Sequence, residues 1–199
     1  MQYILLIFGY LVGSIPFGLL YGRLAGIDVR RQGSGNIGAT NVNRLLGKKL
    51  GAMTLVSDLL KGLLPMLVAA RLLGARPDAS LWIMLTGLAA FVGHCWPIYL
   101  KFRGGKGVAT ALGIFFYLAP LPTLAAVAVF AATVRISGYV SLGSIGAALS
   151  MPVIIGLTGG SDGLLLISMT IAVLIVLKHR DNIRRLMEGE EKSWKGKRS

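Results

Sequence analysis

Apolar residues in this chain come in long, unbroken stretches. Met1 to Gly22, Ala79 to Leu100, Gly107 to Val134, Ile136 to Ser161 and Gly163 to Leu177 contain no Lys, Arg, Asp or Glu, and together they make up more than half of the 199 residues. Runs of this length without charge predict helices whose solvent is lipid. A helix rises about 1.5 Å per residue and needs about 20 residues to cross a hydrocarbon core of about 30 Å. Gln2 to Tyr21, Leu50 to Leu73, Leu81 to Leu100 and Tyr139 to Leu157 meet that requirement. Gly163 to Leu177 is slightly short and borrows the stem of Lys178, which can snorkel. Gly107 to Val134 is either one long tilted helix or two short ones hinged at Ala119-Pro120-Leu121-Pro122, where two prolines remove helical hydrogen bonds.

Composition agrees. Hydrophobic residues make up 54% of the chain and charged residues 15%, against about 25% charged in soluble domains. The net charge of +13 matters less than where the cations lie. Arg23 to Lys49 holds six cations and one acid, Lys101 to Lys106 three and none, and Lys178 to Ser199 eight and four. Basic loops stay on the cytoplasmic side. Two spans separate the first segment from the second, as this rule requires, and an even number must separate Lys106 from Lys178. The break at Pro120 and Pro122 supplies that parity.

The expected fold is therefore an all-α integral membrane protein with seven transmembrane helices, two of them short and joined at a Pro-Leu-Pro break. The N terminus lies outside and the C terminus in the cytoplasm. Residues 1–187 read as a single transmembrane domain and residues 188–199 as a polar cytoplasmic tail whose last residues are disordered. Met1 to Gly22 reads as a retained span, because the first basic residue, Arg23, follows the apolar run. One cysteine, Cys95, excludes an internal disulfide framework. No repeat of 20 to 50 residues is present.

Three polar segments carry the candidate chemistry. The first is Gly33-Ser34-Gly35-Asn36-Ile37-Gly38-Ala39-Thr40-Asn41-Val42-Asn43-Arg44. Its opening matches G-x-G-x-x-G, and Asp58 follows at dinucleotide-fingerprint spacing. That fingerprint needs a strand before it, whereas here Arg30-Arg31-Gln32 precedes and a span follows. The underlying physics still holds. Glycines let amides converge, a helix beginning near Thr40 adds its positive end, and Ser34, Asn36, Thr40, Asn41 and Arg44 suit a phosphate. A plain flexible turn between spans is the competing reading.

The second segment runs from Gly93-His94-Cys95-Trp96-Pro97 to Gly104-Gly105-Lys106-Gly107-Val108-Ala109-Thr110. It is not a Walker A loop, since Leu100 stands where the first glycine belongs and Gly107 where Ser or Thr should follow the lysine. It still sets a lysine among bare amides at a helix start. Trp96 and Tyr99 fit an interfacial belt, and His94 reads as capping or packing at a helix end rather than acting chemically.

The third segment is Lys178-His179-Arg180-Asp181-Asn182-Ile183-Arg184-Arg185-Leu186, in which His179, Asn182 and Arg185 or Arg184 share a helical face. By itself it reads equally as a basic flank that fixes topology. Asp58 and Lys61 fall inside the second span, where charges are paired or functional, and their spacing of three suits mutual neutralisation. Ser141 follows Arg135 on a loop returning to the cytoplasm and offers one more hydroxyl.

The sequence has no nucleophile elbow, no metal-ligand cluster and no aromatic-basic patch suited to nucleic acid. Neither histidine has an aspartate five residues on, since those positions hold Tyr99 and Arg184.

Taken together, the three segments resemble the integral-membrane acyl-phosphate:glycerol-3-phosphate acyltransferases of bacterial phospholipid synthesis. The residues that carry the likeness are Gly33 to Arg44, Gly93 to Pro97 with Phe102 to Thr110, and His179 to Leu186, in the family's order and over essentially the whole chain. The resemblance implies seven helices with a cytoplasmic-face site in the bacterial inner membrane. It implies acyl transfer from acyl phosphate to the primary hydroxyl of glycerol 3-phosphate, giving lysophosphatidic acid and phosphate. It carries over Ser34, Arg44, Lys106, His179 and Asn182 as the core of the site. Gly33, Asn36, Gly38, Thr40, Asn41, Gly104, Gly105, Gly107 and Ser141 follow as substrate-binding positions. The expected partners are the two substrates and membrane lipid, without cofactor, metal or nucleic acid, and the working expectation is a monomer.

Two other classes fit parts of this pattern. A transporter of organic phosphates also needs cationic pockets, but near the midplane and in repeated halves. A non-enzymatic scaffold explains the basic loops and leaves their amide-rich sequences without a role.

Overall fold

The apolar runs fold into helices, and no strand occurs among the described residues, which in this computed structural model are residues 1–194. The expected disorder at the end of the tail concerns residues outside those described. The helices are α1 (Gln2–Ser14), α2 (Phe17–Leu24), α3 (Ala39–Leu73), α4 (Ala79–Cys95), α5 (Val108–Leu118), α6 (Pro120–Ser137), α7 (Val140–Leu157), α8 (Asp162–Lys178) and α9 (Arg180–Met187). Two compact units divide the chain, Met1–Tyr117 and Leu118 onward.

Among the described residues five segments are long and apolar enough to cross a membrane: Gln2–Leu24, Ala39–Leu73, Ala79–Leu100, Pro120–Ser137 and Val140–Leu157. A sixth is counted if α8 and α9, bent by 56° at their junction, form one span. The remaining apolar helix, α5, has 11 residues. At the helical rise it covers about 16 Å, roughly half the hydrocarbon core.

Three details depart from the sequence expectation. The first run is two helices, because Pro16 has no N–H to continue the ladder. The chain breaks at Ile15, whose own amide falls back on Val12 O at 3.2 Å. The prolines at 120 and 122 do break the fourth run, with Ala119 at φ −151°, but only the helix before the break is short. After it α6 runs for 18 residues, past Arg135 to Ser137, and ends at left-handed Gly138. Arg135 is exposed and so does not stop the helix where the charge-free run stops. Thirdly, α3 contains a kink at Gly47, with φ 82° and ψ 175°, that separates its polar N-terminal turns from the long apolar rod.

In the first unit α1 packs on α4 and α3, and α3 packs also on α2 and α4. Lipid tails give no hydrophobic drive between helices, so close backbone approach does the packing. Gly9 and Gly13 sit so tightly on Thr86 and Ala90 of α4 that a Cβ at either would overlap a carbonyl there. A second layer, Leu19, Val29, Ile37 and Val42, is buried and pins the loop after α2 to the start of α3. Leu45, Leu46, Leu50 and Leu100 pack around it. In the second unit α7 packs between α6 and α8, with α9 against α8.

Candidate active site

In the first unit, the loop from Val29 to Gly38 is organised by one side chain. Asn41 is 2% exposed. Its Nδ2 lies 3.0 Å from Val29 O, 3.2 Å from Gln32 O and 2.9 Å from Asn36 O, and its Oδ1 accepts the Ser34 amide at 2.8 Å. Gly33 and Gly35 adopt φ 65° and 70°, which an L side chain resists, and a Cβ on Gly33 would overlap Asn41 Oδ1. Asn36 accepts the Gly38 amide at 2.8 Å. Asn36 and Asn41 therefore shape the loop from within.

Ser34, Thr40 and Arg44 are exposed. Thr40 and Arg44, four residues apart on α3, lie on one face of its N-terminal turn, which no side chain caps. A hydroxyl, a guanidinium and the positive helix end are thus neighbours here, residue types that suit a phosphate. Asp28 and Arg30 stand at the loop's start, where the Arg30 guanidinium and amide hold the carboxyl well below the usual carboxylate range.

The second glycine segment doubles back on the end of α4. Lys101 and Phe102 take positive φ (52° and 63°), and bonds from Phe102 N to Pro97 O (3.0 Å) and Arg103 N to Leu100 O (3.2 Å) close the turn. Gly105 then donates its amide to His94 O at 3.1 Å. A Cβ at Gly104 would strike the His94 carbonyl, at Gly105 the His94 ring, and at Gly107 the Phe91 ring. These glycines are bare because α4 lies against them. Lys106 is half-buried between them. Leu100 packs on the same cluster that pins the 29–38 loop, so both glycine segments belong to one end of this unit.

In the second unit His179 stands at the bend between α8 and α9, 2% exposed, with Nδ1 2.8 Å from Ile175 O. A carbonyl can only accept, so Nδ1 carries the proton and Nε2 of the neutral ring is the basic atom. Ser141 lies in the first turn of α7 rather than on a loop. It and Asn182 are both 6% exposed and meet through a residue that sequence reasoning passed over, Glu191. Glu191 Oε1 accepts from Ser141 Oγ at 2.7 Å and from Asn182 Nδ2 at 2.6 Å, and Oε2 from Arg185 Nε at 2.8 Å. Burial alone would raise this carboxyl, but the three donors outweigh it and hold it below its ordinary value. Bonds from Trp194 N and Ser193 Oγ to Gly138 O carry the tail on to the α6–α7 turn. Thus Glu188 to Trp194 is built into the unit. The signal was a carboxylate in a tail six residues after Arg185.

A model of the glycerol-3-phosphate acyltransferase family matches residues 3–189. The chain belongs to that family. It is 52% identical to glycerol-3-phosphate acyltransferase of Desulfotalea psychrophila over 197 residues, covering 99% of this chain and 100% of that one. It is 54% identical to that of Trichlorobacter lovleyi over 186 residues, 94% of each. Its fold superposes with a TM-score of 0.90 on the crystal structure of PlsY (YgiH), an integral membrane glycerol 3-phosphate acyltransferase, in its glycerol 3-phosphate form. That alignment is at 41% identity and covers 97% of this chain and 95% of the other. The lysophosphatidic acid form of PlsY gives 0.88 at the same identity, covering 96% and 94%. This chain is thus a multi-pass integral membrane acyltransferase.

Proposed function

We propose that the protein transfers a fatty acyl group from acyl phosphate to the sn-1 hydroxyl of glycerol 3-phosphate, releasing lysophosphatidic acid and inorganic phosphate. This is the first acylation of phospholipid synthesis. The observation that carries the reading is the end-to-end match to glycerol-3-phosphate acyltransferases, joined to a solved relative described with glycerol 3-phosphate and with lysophosphatidic acid. The test is an assay in detergent with labelled glycerol 3-phosphate and synthetic palmitoyl phosphate. Labelled lysophosphatidic acid is the expected product, and its absence with folded protein defeats the reading.

Both substrates carry phosphate, and the residues assigned to them are phosphate-binding types. Lys106 and Arg44 neutralise the leaving phosphate and the charge that develops on the carbonyl oxygen. Ser34 donates a hydrogen bond to phosphate. His179 Nε2, or a phosphate oxygen of the substrate, takes the hydroxyl proton, and Asn182 positions glycerol 3-phosphate. Gly33, Gly38, Gly104, Gly105 and Gly107 set the loop backbones, and Thr40 and Ser141 add hydroxyls.

Transfer is direct. A serine nucleophile needs a positioned base. Asp181, the one carboxylate beside His179, is exposed and engages Arg180. Acyl phosphate is already activated, so a covalent intermediate would gain little. Protein incubated with labelled acyl phosphate alone and then denatured is expected to carry no label, and hydroxylamine-releasable label on Ser34 would overturn direct transfer.

In the membrane we read α5 and the α8–α9 pair as crossings beside the five longer segments, seven in all. On this reading the N terminus is outside and the C terminus in the bacterial cytoplasm. Residues 1–187 act as one catalytic domain, onto which Glu191 of the tail is tied through Ser141, Asn182 and Arg185, in an inner-membrane protein that works as a monomer.

A further inference from the structure

Three side chains of acid, base and imidazole type are buried together in the first unit, and the reaction as assigned uses none of them. Asp58, Lys61 and His94 are 3%, 2% and 4% exposed. Lys61 Nζ lies 2.9 Å from Ile15 O, 3.1 Å from Asp58 Oδ1 and 2.9 Å from His94 Nδ1, with the Phe17 ring centroid at 5.9 Å. An ammonium has three hydrogens, and here three acceptors surround it. The Ile15 carbonyl and the Asp58 carboxylate accept two of them. The third goes to His94 Nδ1, which leaves the ring's own proton on Nε2.

Such a pair inside a span is commonly self-sufficient. This one has an outlet. His94 grips Gly105 twice, by its carbonyl on the Gly105 amide and by the Nε2 edge of its ring against the Gly105 α-carbon, where no Cβ would fit. Asp58 holds the other end of the same segment, since its backbone oxygen accepts Thr110 Oγ1 at 3.0 Å. Lys106 lies between these two anchors. A tilt of the imidazole therefore shifts the backbone from which Lys106 reaches.

We propose that Asp58, Lys61 and His94 form a buried positioning triad that fixes the His94 ring, and through it the Gly104–Gly107 backbone, so that Lys106 is aimed at the phosphate it binds. The inference rests on Lys106 having that role, and the experiment separates the two. Asn at position 94 keeps an acceptor near Nδ1 and removes the Nε2 edge. His94→Asn is expected to lower kcat/KM for acyl phosphate about tenfold, within the usual range of couplings between neighbouring residues. In a Lys106→Ala background the same change is expected to lower it less than about twofold, because the residue acted upon is gone. The paired neutral variant Asp58→Asn/Lys61→Met, which leaves no orphan charge, is expected to show the same dependence on Lys106. Thermal melting and gel filtration in detergent report folding for each variant. Losses that multiply in the double variants overturn the triad while leaving Lys106 in place. Near-normal turnover in Lys106→Ala alone overturns the role of Lys106, and the triad with it.

Discussion

Single residues carry the sharpest expectations. Lys106→Ala and Arg44→Ala are each expected to lower turnover by about two orders of magnitude or more, the scale of losing one charge partner of a transition state. Melting temperature is expected to change little, since Arg44 is exposed and Lys106 half-buried. Steady-state kinetics beside a thermal melt check both.

The two histidines are expected to be opposite tautomers. His94 protonates Nε2 because Lys61 occupies Nδ1, and His179 protonates Nδ1 because Ile175 O accepts there. Nitrogen NMR of histidine-labelled protein at alkaline pH, with His179→Asn for assignment, distinguishes this pattern from matching tautomers.

Glu191 differs from both, because removing it strands three donors at once. Glu191→Ala is expected to melt lower and to expose the tail to protease. Its carboxyl is held below its unfolded value, so the stabilisation is present above the ordinary glutamate range and is lost as pH falls through the folded pKa. Protease sensitivity of the tail is thus expected to rise at acid pH in the native chain and to be pH-independent in Glu191→Ala. Of these residues the sequence displayed Lys106 and Arg44 plainly, by charge among glycines. Glu191 was hidden because a carboxylate in a mixed-charge tail looks solvated until its donors, one of them 50 residues away, are known.

Helical elements were legible where charge or its absence speaks, and less so where the backbone decides. The length of the runs announced the spans, and Pro120 with Pro122 announced the break before α6. Pro16 was equally visible in the sequence. Proline in a membrane helix requires that the freed backbone be satisfied; here Val12 O takes the Ile15 amide, and Ile15 O takes Lys61, 46 residues on. The end of α6 was placed too early because an arginine reads as a boundary, whereas an exposed arginine near a helix end can keep its head in water while the helix continues. In the topology proposed above, the α5–α6 junction faces outside. Leu121 is 77% exposed and Glu190 also lies open. Cysteines introduced at these two positions in a Cys95→Ser chain are therefore expected to react with impermeant reagent from opposite faces. Three crossings then separate the two positions, α6, α7 and the α8–α9 pair, and labelling from one face would remove the α8–α9 pair from the crossings.

At the scale of the whole molecule, donor choice follows from what surrounds the protein. The described surface is largely apolar helix, with Ile4, Leu55, Leu72, Val153, Leu166 and Val173 among its exposed side chains. A lipid-soluble acyl donor reaches such a protein by diffusing in the bilayer. Acyl phosphate is expected to support turnover and acyl-CoA is not, in matched assays, and comparable rates would overturn the donor assignment.

The buried pair on α3 also bears on how the chain enters the membrane during synthesis. An aspartate or a lysine at the centre of a nascent helix each costs about 3 kcal/mol at the translocon. Asp58 and Lys61, one turn apart on the same helix, neutralise each other before any later helix exists. The third hydrogen of Lys61 waits for His94, which is synthesised 33 residues afterwards. Insertion of α3 is thus self-sufficient, and locking of the site's lysine loop is deferred until α4 has joined it. Asp58→Ala is accordingly expected to reduce insertion of α3 in a cell-free glycosylation-mapping assay, whereas His94→Ala should leave insertion unchanged and affect only the finished enzyme.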